Sequence, residues 1–182
     1  YWKGLHIFFF PDLSITWYTC ADLFGQSLLL EEAEMALMQI MNNTRQMDII
    51  SIIGMPVVMN STLLNSAVVF QKGKILGIVP KTYLPNYKEF YEQRWFTSAL
   101  NHPDANVRLC GQNVPVSANL LFDTPETCFG IEICEDMWAP IPPSSALALK
   151  GAEIIFNMSA DNEGISKQNY VRSPVFWQTL LS

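Results

Sequence analysis

Charge is scarce in this 182-residue chain. Lysine and arginine total 11 and aspartate and glutamate 17, so 15% of residues are charged and the formal charge is -6. A typical soluble domain carries about 25% charged residues. The lack of a basic excess argues against autonomous nucleic-acid binding, which neutralises phosphates with Lys and Arg. Apolar residues reach 49%, which excludes a chain held open by low hydrophobicity and high charge. Histidine is rarer still. His6 lies in an apolar run and His102 in Asn101-His102-Pro103-Asp104, and neither setting argues for an imidazole base. The four cysteines (Cys20, Cys110, Cys128, Cys134) form no Cys-x-x-Cys pair, so a zinc or disulfide framework is poorly supported.

No membrane span is expected. The longest stretch free of Asp, Glu, Lys and Arg covers residues 49–71, 23 in all, and a spanning helix needs roughly 20 mainly apolar residues. Gly54, Pro56, Asn60, Ser61, Thr62, Asn65 and Ser66 interrupt it, however. Its two β-branched clusters around a polar turn predict two buried strands instead. The apolar run 5–10 is too short for the core of a secretion signal and leads into Pro11-Asp12. A cytoplasmic setting is expected, in which Asn42, Asn60 and Asn157, each opening an Asn-x-Ser/Thr triplet, are ordinary loop or turn residues.

What the chain does have is a series of apolar runs in α/β order. Residues 5–10 predict a fully buried strand stopped by Pro11. A helix is predicted over 26–43, with Leu29, Ala33, Ala36, Leu37, Ile40 and Met41 near helical spacing. Strands are predicted over 48–53 and 65–70, then a hairpin turn at Lys72-Gly73-Lys74 into 75–79. Residues 80–100 read as an aromatic, irregular loop of the functional kind. Short strands follow over 107–110, 114–116 and 120–122, then a buried strand over 128–134. Ser144 or Ser145 is expected to cap a short helix ending at Gly151, before a strand over 153–158 and a helix from near Ile165. The fold class is α/β or layered α+β, at one domain's length.

The most informative segment is Phe129-Gly130-Ile131-Glu132-Ile133-Cys134-Glu135-Asp136-Met137-Trp138. A β-rich run ends on Cys134, where a turn can expose a thiol and backbone N–H groups can hold an oxyanion. A buried structural cysteine is the commoner reading of such a residue, and the local sequence favours it. With no His to serve, a carboxylate and a lysine can act as base and anion stabiliser. Lys81 follows the strand 75–79 by one Pro, and Asp12 follows the run 5–10 by one Pro. Either can equally be a surface lysine or a turn-forming Asp. Together, acid, lysine and cysteine lie at the ends of three separate strands, where one rim of a sheet can gather them.

Here the sequence resembles the nitrilase, or carbon–nitrogen hydrolase, superfamily, and within it the glutaminase domains of glutamine-dependent NAD synthetases. Phe10-Pro11-Asp12-Leu13 through Asp22-Leu23-Phe24 is similar to F-P-E-L-x-x-T-G-Y-x-x-x-D-L-F. Lys81-Thr82-Tyr83-Leu84-Pro85-Asn86-Tyr87, continuing to Tyr91-Glu92-Gln93-Arg94-Trp95-Phe96, is similar to K-x-x-L-P-N-Y followed by D-E-x-R-Y-F. Gly130 to Trp138 is similar to G-x-x-I-C-E-D-x-W. The resemblance implies an αββα sandwich, of which this chain is an incomplete segment, and a carbon–nitrogen hydrolase domain over residues 1–182. It also implies hydrolysis of the glutamine amide to supply ammonia for amidation of nicotinic acid adenine dinucleotide. A free-standing amidase or carbamoylase is the first alternative, and a catalytically impaired structural or assembly domain the second.

The implied roles are Cys134 as nucleophile, Asp12 as proton carrier, Lys81 at the oxyanion and Glu92 as the acid that orients Lys81, with Glu89 as its competitor. Tyr87, Glu135, Ser159 and Lys167 are the implied substrate contacts. The implied partners are glutamine, a synthetase domain of the same polypeptide and sister copies in a homo-oligomer. No cofactor is expected in this segment: there is no S-G-G-x-D-S or G-x-x-x-x-G-K-[ST] loop, and ATP and Mg belong to the synthetase domain. Three departures stand out. Asp12 replaces a Glu, Trp17 replaces a Gly, and Pro174 falls where a helix is expected.

Overall fold

The computed structural model describes residues 6–160. Lys167, Pro174 and the helix expected from Ile165 lie outside the described residues.

Two sheets stack face to face. The first contains β1 (His6–Phe9), β2 (Ile49–Met59), β3 (Thr62–Gln71), β4 (Lys74–Pro80), β5 (Ala105–Leu109) and β6 (Gln112–Val116), in spatial order β1-β2-β3-β4-β6-β5. β2 to β4 form an antiparallel meander, with β1 added parallel to β2 and β6 parallel to β4. The second contains β7 (Phe122–Asp123), β8 (Cys128–Ile133) and β9 (Ile154–Met158), with β8 and β9 parallel.

Side-chain alternation sorts the core into two layers. Ile53, Met55 and Val57 of β2 and Leu64 and Val68 of β3 pack under α1 (Ser27–Asn43), which contributes Ala33, Leu37 and Met41. The opposite face of the same strands carries Ile50, Ile52, Ala67 and Val69, which meet Phe129, Ile131 and Ile133 of β8. On the far side of β8 lies α2 (Pro143–Leu149). A Cβ at Gly130 would stand 2.9 Å from Leu147, so the missing side chain is what lets α2 settle on the strand. The layer order is therefore helix, sheet, sheet, helix, the expected αββα sandwich.

Four expectations need correction. The run 5–10 is not fully buried. β1 is a sheet edge paired only with β2 among the described residues, and Phe8, Phe9 and Phe10 are about half exposed. The two central strands are longer than predicted: β2 runs on through Gly54 and Pro56 to Met59, and β3 starts three residues earlier, at Thr62, all within the β2–β3 ladder. No serine side chain caps α2. Pro143 takes the first helical position, and the buried Glu132 carboxylate accepts the Ser144 N–H at 3.1 Å. Asn42 lies in α1 and Asn157 in β9, so only Asn60 is a turn residue, with φ 49°.

One backbone position conflicts with its residue. Trp17 has φ 67° and ψ 152°, a region essentially reserved for glycine that costs on the order of 1–3 kcal/mol elsewhere. Its ring is 78% exposed, so packing offsets little of that strain. Trp17→Gly is expected to raise the thermal midpoint by roughly 2–4 °C, a net gain of about 1 kcal/mol after the entropy of glycine is subtracted. Trp17→Ala keeps the Cβ and is expected to give no gain. Thermal denaturation followed by circular dichroism tests both.

Candidate active site

The inner faces of the two sheets continue past the apolar core into a polar cluster at one end of the sandwich. Lys81 follows β4 directly, Cys134 follows β8 directly, and Asp12 lies three residues beyond β1. The strand ends thus converge as expected. They do so from two facing sheets, however, not along one rim.

Asp12 reaches this end because β2 has no side chain at Gly54. A Cβ there would stand 2.4 Å from both the Pro11 carbonyl and the Leu13 nitrogen. The Ile15 N–H then bonds to the Gly54 carbonyl at 3.1 Å, anchoring the loop on the strand. Asp12 is left buried. Its Oδ1 accepts the Ala160 N–H at 2.6 Å.

Lys81 is fully buried, and its Nζ lies 2.6 Å from Glu92 Oε1 and 3.5 Å from Asp12 Oδ2. Burial opposes its charge, but Glu92, Asp12 and Cys134 together outweigh that effect and hold its proton more tightly than usual. Lys81 is therefore an ammonium throughout the neutral range. Glu92 is also buried; burial pushes its carboxyl up, against the pull of Lys81 and Tyr18. Tyr18 donates to Glu92 Oε1 at 2.7 Å. Asn65 Nδ2 donates to both acids, at 3.3 Å to Asp12 Oδ2 and 3.3 Å to Glu92 Oε2.

Cys134 opens a 3₁₀ turn over Cys134–Trp138 and has φ 47°. This abrupt change from extended backbone ends the strand at the thiol. Ser159 Oγ donates to Sγ at 3.3 Å. Asn157 Nδ2 approaches the Cys134 carbonyl at 3.4 Å and is itself held by Glu132. Burial pushes the thiol up to about 11, with Lys81 pulling it down and Asp12 pushing it further up. At neutral pH the site therefore holds a thiol beside a carboxylate and an ammonium. Such a set can move a proton, attack a carbonyl carbon and stabilise the resulting oxyanion.

Asp136, two residues beyond Cys134, is buried as well. Its Oδ1 accepts the N–H groups of Thr82 at 3.0 Å and Tyr83 at 2.7 Å, and Oδ2 that of Ile133 at 3.0 Å. Burial pushes this carboxyl up to about 7, although its backbone donors pull the other way.

A groove of about 930 Å³ opens nearby, with Tyr83, Tyr87, Glu135 and Trp138 in its lining. Tyr87 donates to both carboxylate oxygens of Glu135 at 3.0 Å. Among the described residues no cluster of three or more His, Cys, Asp or Glu is arranged to hold a metal ion.

The structure thus joins Asp12, Lys81, Glu92, Cys134 and Ser159 in one centre and pairs Tyr87 with Glu135 at the groove. Glu92 takes the contact with Lys81; Glu89 lies on the exposed part of the loop. His102 is elsewhere, 3.0 Å from Thr62 Oγ1. Sequence reasoning assigned no role to Tyr18, Asn65, Asp136 or Asn157. Asn65 and Ser66, a polar pair inside an apolar strand, were the available signal for Asn65.

Two outcomes follow from the buried charges. Lys81→Met leaves Asp12 and Glu92 without their cation and is expected to cost about 3–5 kcal/mol in urea unfolding. Glu92, already pushed up by burial, binds its proton more tightly in that folded variant than in the unfolded chain. The added stability is therefore present at low pH and lost as pH rises, so the deficit narrows toward pH 5. In the parent chain, alkylation at Cys134 by iodoacetamide is expected to rise about tenfold per pH unit above neutrality as thiolate forms. It should level off near 11. Peptide mapping separates it from the other three cysteines.

The family model for carbon–nitrogen hydrolases matches residues 2–181. The chain is 36% identical over 159 residues to a glutamine-dependent NAD(+) synthetase of Mycobacterium bovis, covering 86% of this chain and 23% of that protein. It is 34% identical over 173 residues to one of Aquifex aeolicus, covering 95% and 27%. It therefore spans about a quarter of the length of these relatives. Its fold is similar to the crystal structure of a glutamine-dependent NAD(+) synthetase from Cytophaga hutchinsonii, with TM-score 0.75 and 28% identity over 91% of this chain and 27% of that one. A carbon-nitrogen hydrolase from Helicobacter pylori shares the fold at TM-score 0.63 and 20% identity, over 93% and 55%. From its layered fold and a family match along nearly its whole length, the chain belongs to the carbon–nitrogen hydrolase family.

Proposed function

We propose that this chain is the glutaminase segment of a glutamine-dependent NAD synthetase. The observation that carries this reading is the buried Lys81, held by Glu92 and Asp12 beside the Cys134 thiol. In this reading the Asp12 carboxylate takes the thiol proton as sulfur attacks the side-chain amide carbon of glutamine. Lys81 Nζ faces the oxygen that becomes negative, and Glu92, held by Tyr18 and Asn65, fixes that ammonium in place. The proton on Asp12 leaves with the nitrogen as ammonia, and a thioester remains. Water, deprotonated by the same carboxylate, then releases glutamate and restores the thiol. Glu135, presented by Tyr87 at the groove, suits the α-ammonium of the substrate. Lys167, outside the described residues, is the weaker candidate contact for its α-carboxylate.

The ammonia is consumed by an ATP- and Mg-dependent synthetase domain of the same polypeptide, which amidates nicotinic acid adenine dinucleotide. Residues 1–182 contain neither of the two phosphate-binding loops sought for that half-reaction. The whole protein works in the cytoplasm as a homo-oligomer. Among the described residues no helix is long and apolar enough to cross a membrane, which leaves β-barrels unaddressed.

Release of ammonia and glutamate from glutamine tests the reading, with Cys134→Ala expected to abolish it. Turnover of other amides but never of glutamine would favour a free-standing amidase. Absence of any thioester or glutamine-analogue adduct on Cys134 would favour an impaired domain. The Asp12–Lys81 separation of 3.5 Å, against 2.6 Å for Glu92, marks Asp12 as short for its place. Misplacement of about 1 Å costs roughly 100-fold in rate. Asp12→Glu is therefore expected to raise kcat by about 10- to 100-fold, and an unchanged or lower kcat would count against that account.

A further inference from the structure

Lys81 and Cys134 belong to different sheets, so no β-ladder fixes one relative to the other. The β3–β4 ladder ends at the Lys81 N–H, which bonds to the Asn65 carbonyl at 2.8 Å. The next two N–H groups, of Thr82 and Tyr83, point away from β3. Both bond to one atom, Asp136 Oδ1 on the opposite sheet's turn. The other carboxylate oxygen closes that turn by accepting the Ile133 N–H, as an acid at the third position of a turn commonly does. That local bond alone needs only one acceptor. The two cross-sheet bonds are additional; that of Thr82 is buried, where an unpartnered N–H is costly, and that of Tyr83 is partly buried.

We propose that Asp136 is a positioning residue that clamps the end of β4 to the Cys134 turn and so sets the distance between the Lys81 ammonium and the Cys134 sulfur. This inference rests on the glutaminase reading only for what the distance is used for. The clamp itself is a statement about geometry. Asp136 touches neither the thiol nor the ammonium. It acts on the peptide units that carry them, one residue after Lys81 and one before Cys134. An acid at this place has a second property that an apolar residue lacks. It satisfies three N–H groups with two oxygens, so loss of either oxygen strands at least one donor.

Asp136→Asn tests the clamp, because it keeps the shape and exchanges one acceptor for a donor. The expected result is a cooperatively folded chain whose kcat for glutamine falls by about 10- to 100-fold, with KM within about threefold. Its Cys134 alkylation profile should also move to higher pH as Lys81 loses its hold over the sulfur. A folded variant whose alkylation profile matches the parent's overturns the clamp, whether or not activity is lost, because a merely structural acid would leave that profile in place. Alkylation requires no glutamine. A shifted profile in a chain that never hydrolyses glutamine sustains the clamp and defeats the glutaminase reading. Glutamine hydrolysis with an unmoved profile does the reverse. Should Asp136→Asn fail to fold, amide hydrogen exchange on the parent chain decides. The Thr82, Tyr83 and Ile133 amides are expected to exchange together and among the slowest. Rapid exchange at Thr82 and Tyr83 beside a protected Ile133 would overturn the proposal.

Discussion

A single buried ammonium governs this end of the molecule. Lys81 has no exposed surface, and a lone cation in such a place would shed its proton or unfold the chain. It stays charged because Glu92 and Asp12 surround it, and those acids stay buried because Asn65, Tyr18 and the Ala160 N–H satisfy their remaining oxygens. These six groups come from five parts of the chain: Asp12 and Tyr18 from the segment after β1, and the others from β3, the end of β4, the aromatic loop and the residues after β9. Such an ion cluster is weak evidence for stability, since well-packed apolar residues commonly do as well. Its value lies in holding a fixed charge in a dry place, which is what stabilisation of a developing oxyanion requires.

Backbone geometry around the cluster follows from the same demand. Gly54 lets the Asp12 loop lie directly on β2. Leu13, beside Asp12, has φ 53°, and Cys134 has φ 47°. Both depart from the extended conformation where the chain must stop following a sheet and present a side chain between the two. Trp17 extends this strain to the residue before Tyr18, which anchors Glu92. Local strain next to groups that position a reactive centre is the usual pattern at functional sites.

What could be read from the sequence, and what could not, divides along the range of the interactions. Hydrophobic periodicity, turn residues and strand ends are local, and they were enough to place α1, the β2–β3 hairpin and β8 and to put Asp12, Lys81 and Cys134 at strand ends; only the resemblance to a family gave those three residues a role, since local sequence alone favoured a structural cysteine. Asn65 was not legible, because its partners are 53 and 27 residues away and its own segment reads only as a polar break in a strand. Asp136 read as one more acid in a polar turn, since nothing local shows that two of its bonds reach the opposite sheet. The half-exposed Phe8, Phe9 and Phe10 were misjudged for a related reason. An apolar run reports a preference for burial, while the actual exposure of β1 depends on which strands flank it.

The resting state of the thiol sharpens the role of the acid. With its thiol pushed up to about 11, Cys134 is almost entirely protonated at neutral pH. In the proposed reaction, attack on the amide is therefore coupled to proton removal, unlike attack by the preformed thiolate of a strongly electropositive site. A single lysine flanked by two carboxylates is suited to that. Its charge is largely balanced in the resting state, so it does not force the thiol to ionise, yet it remains available to an oxyanion that forms as the thiol proton passes to Asp12. In the proposed mechanism one carboxylate fixes the ammonium and the other accepts and returns a proton, so the two acids do not exchange roles. The short 2.6 Å contact with Lys81 belongs to the acid given the fixing role, Glu92.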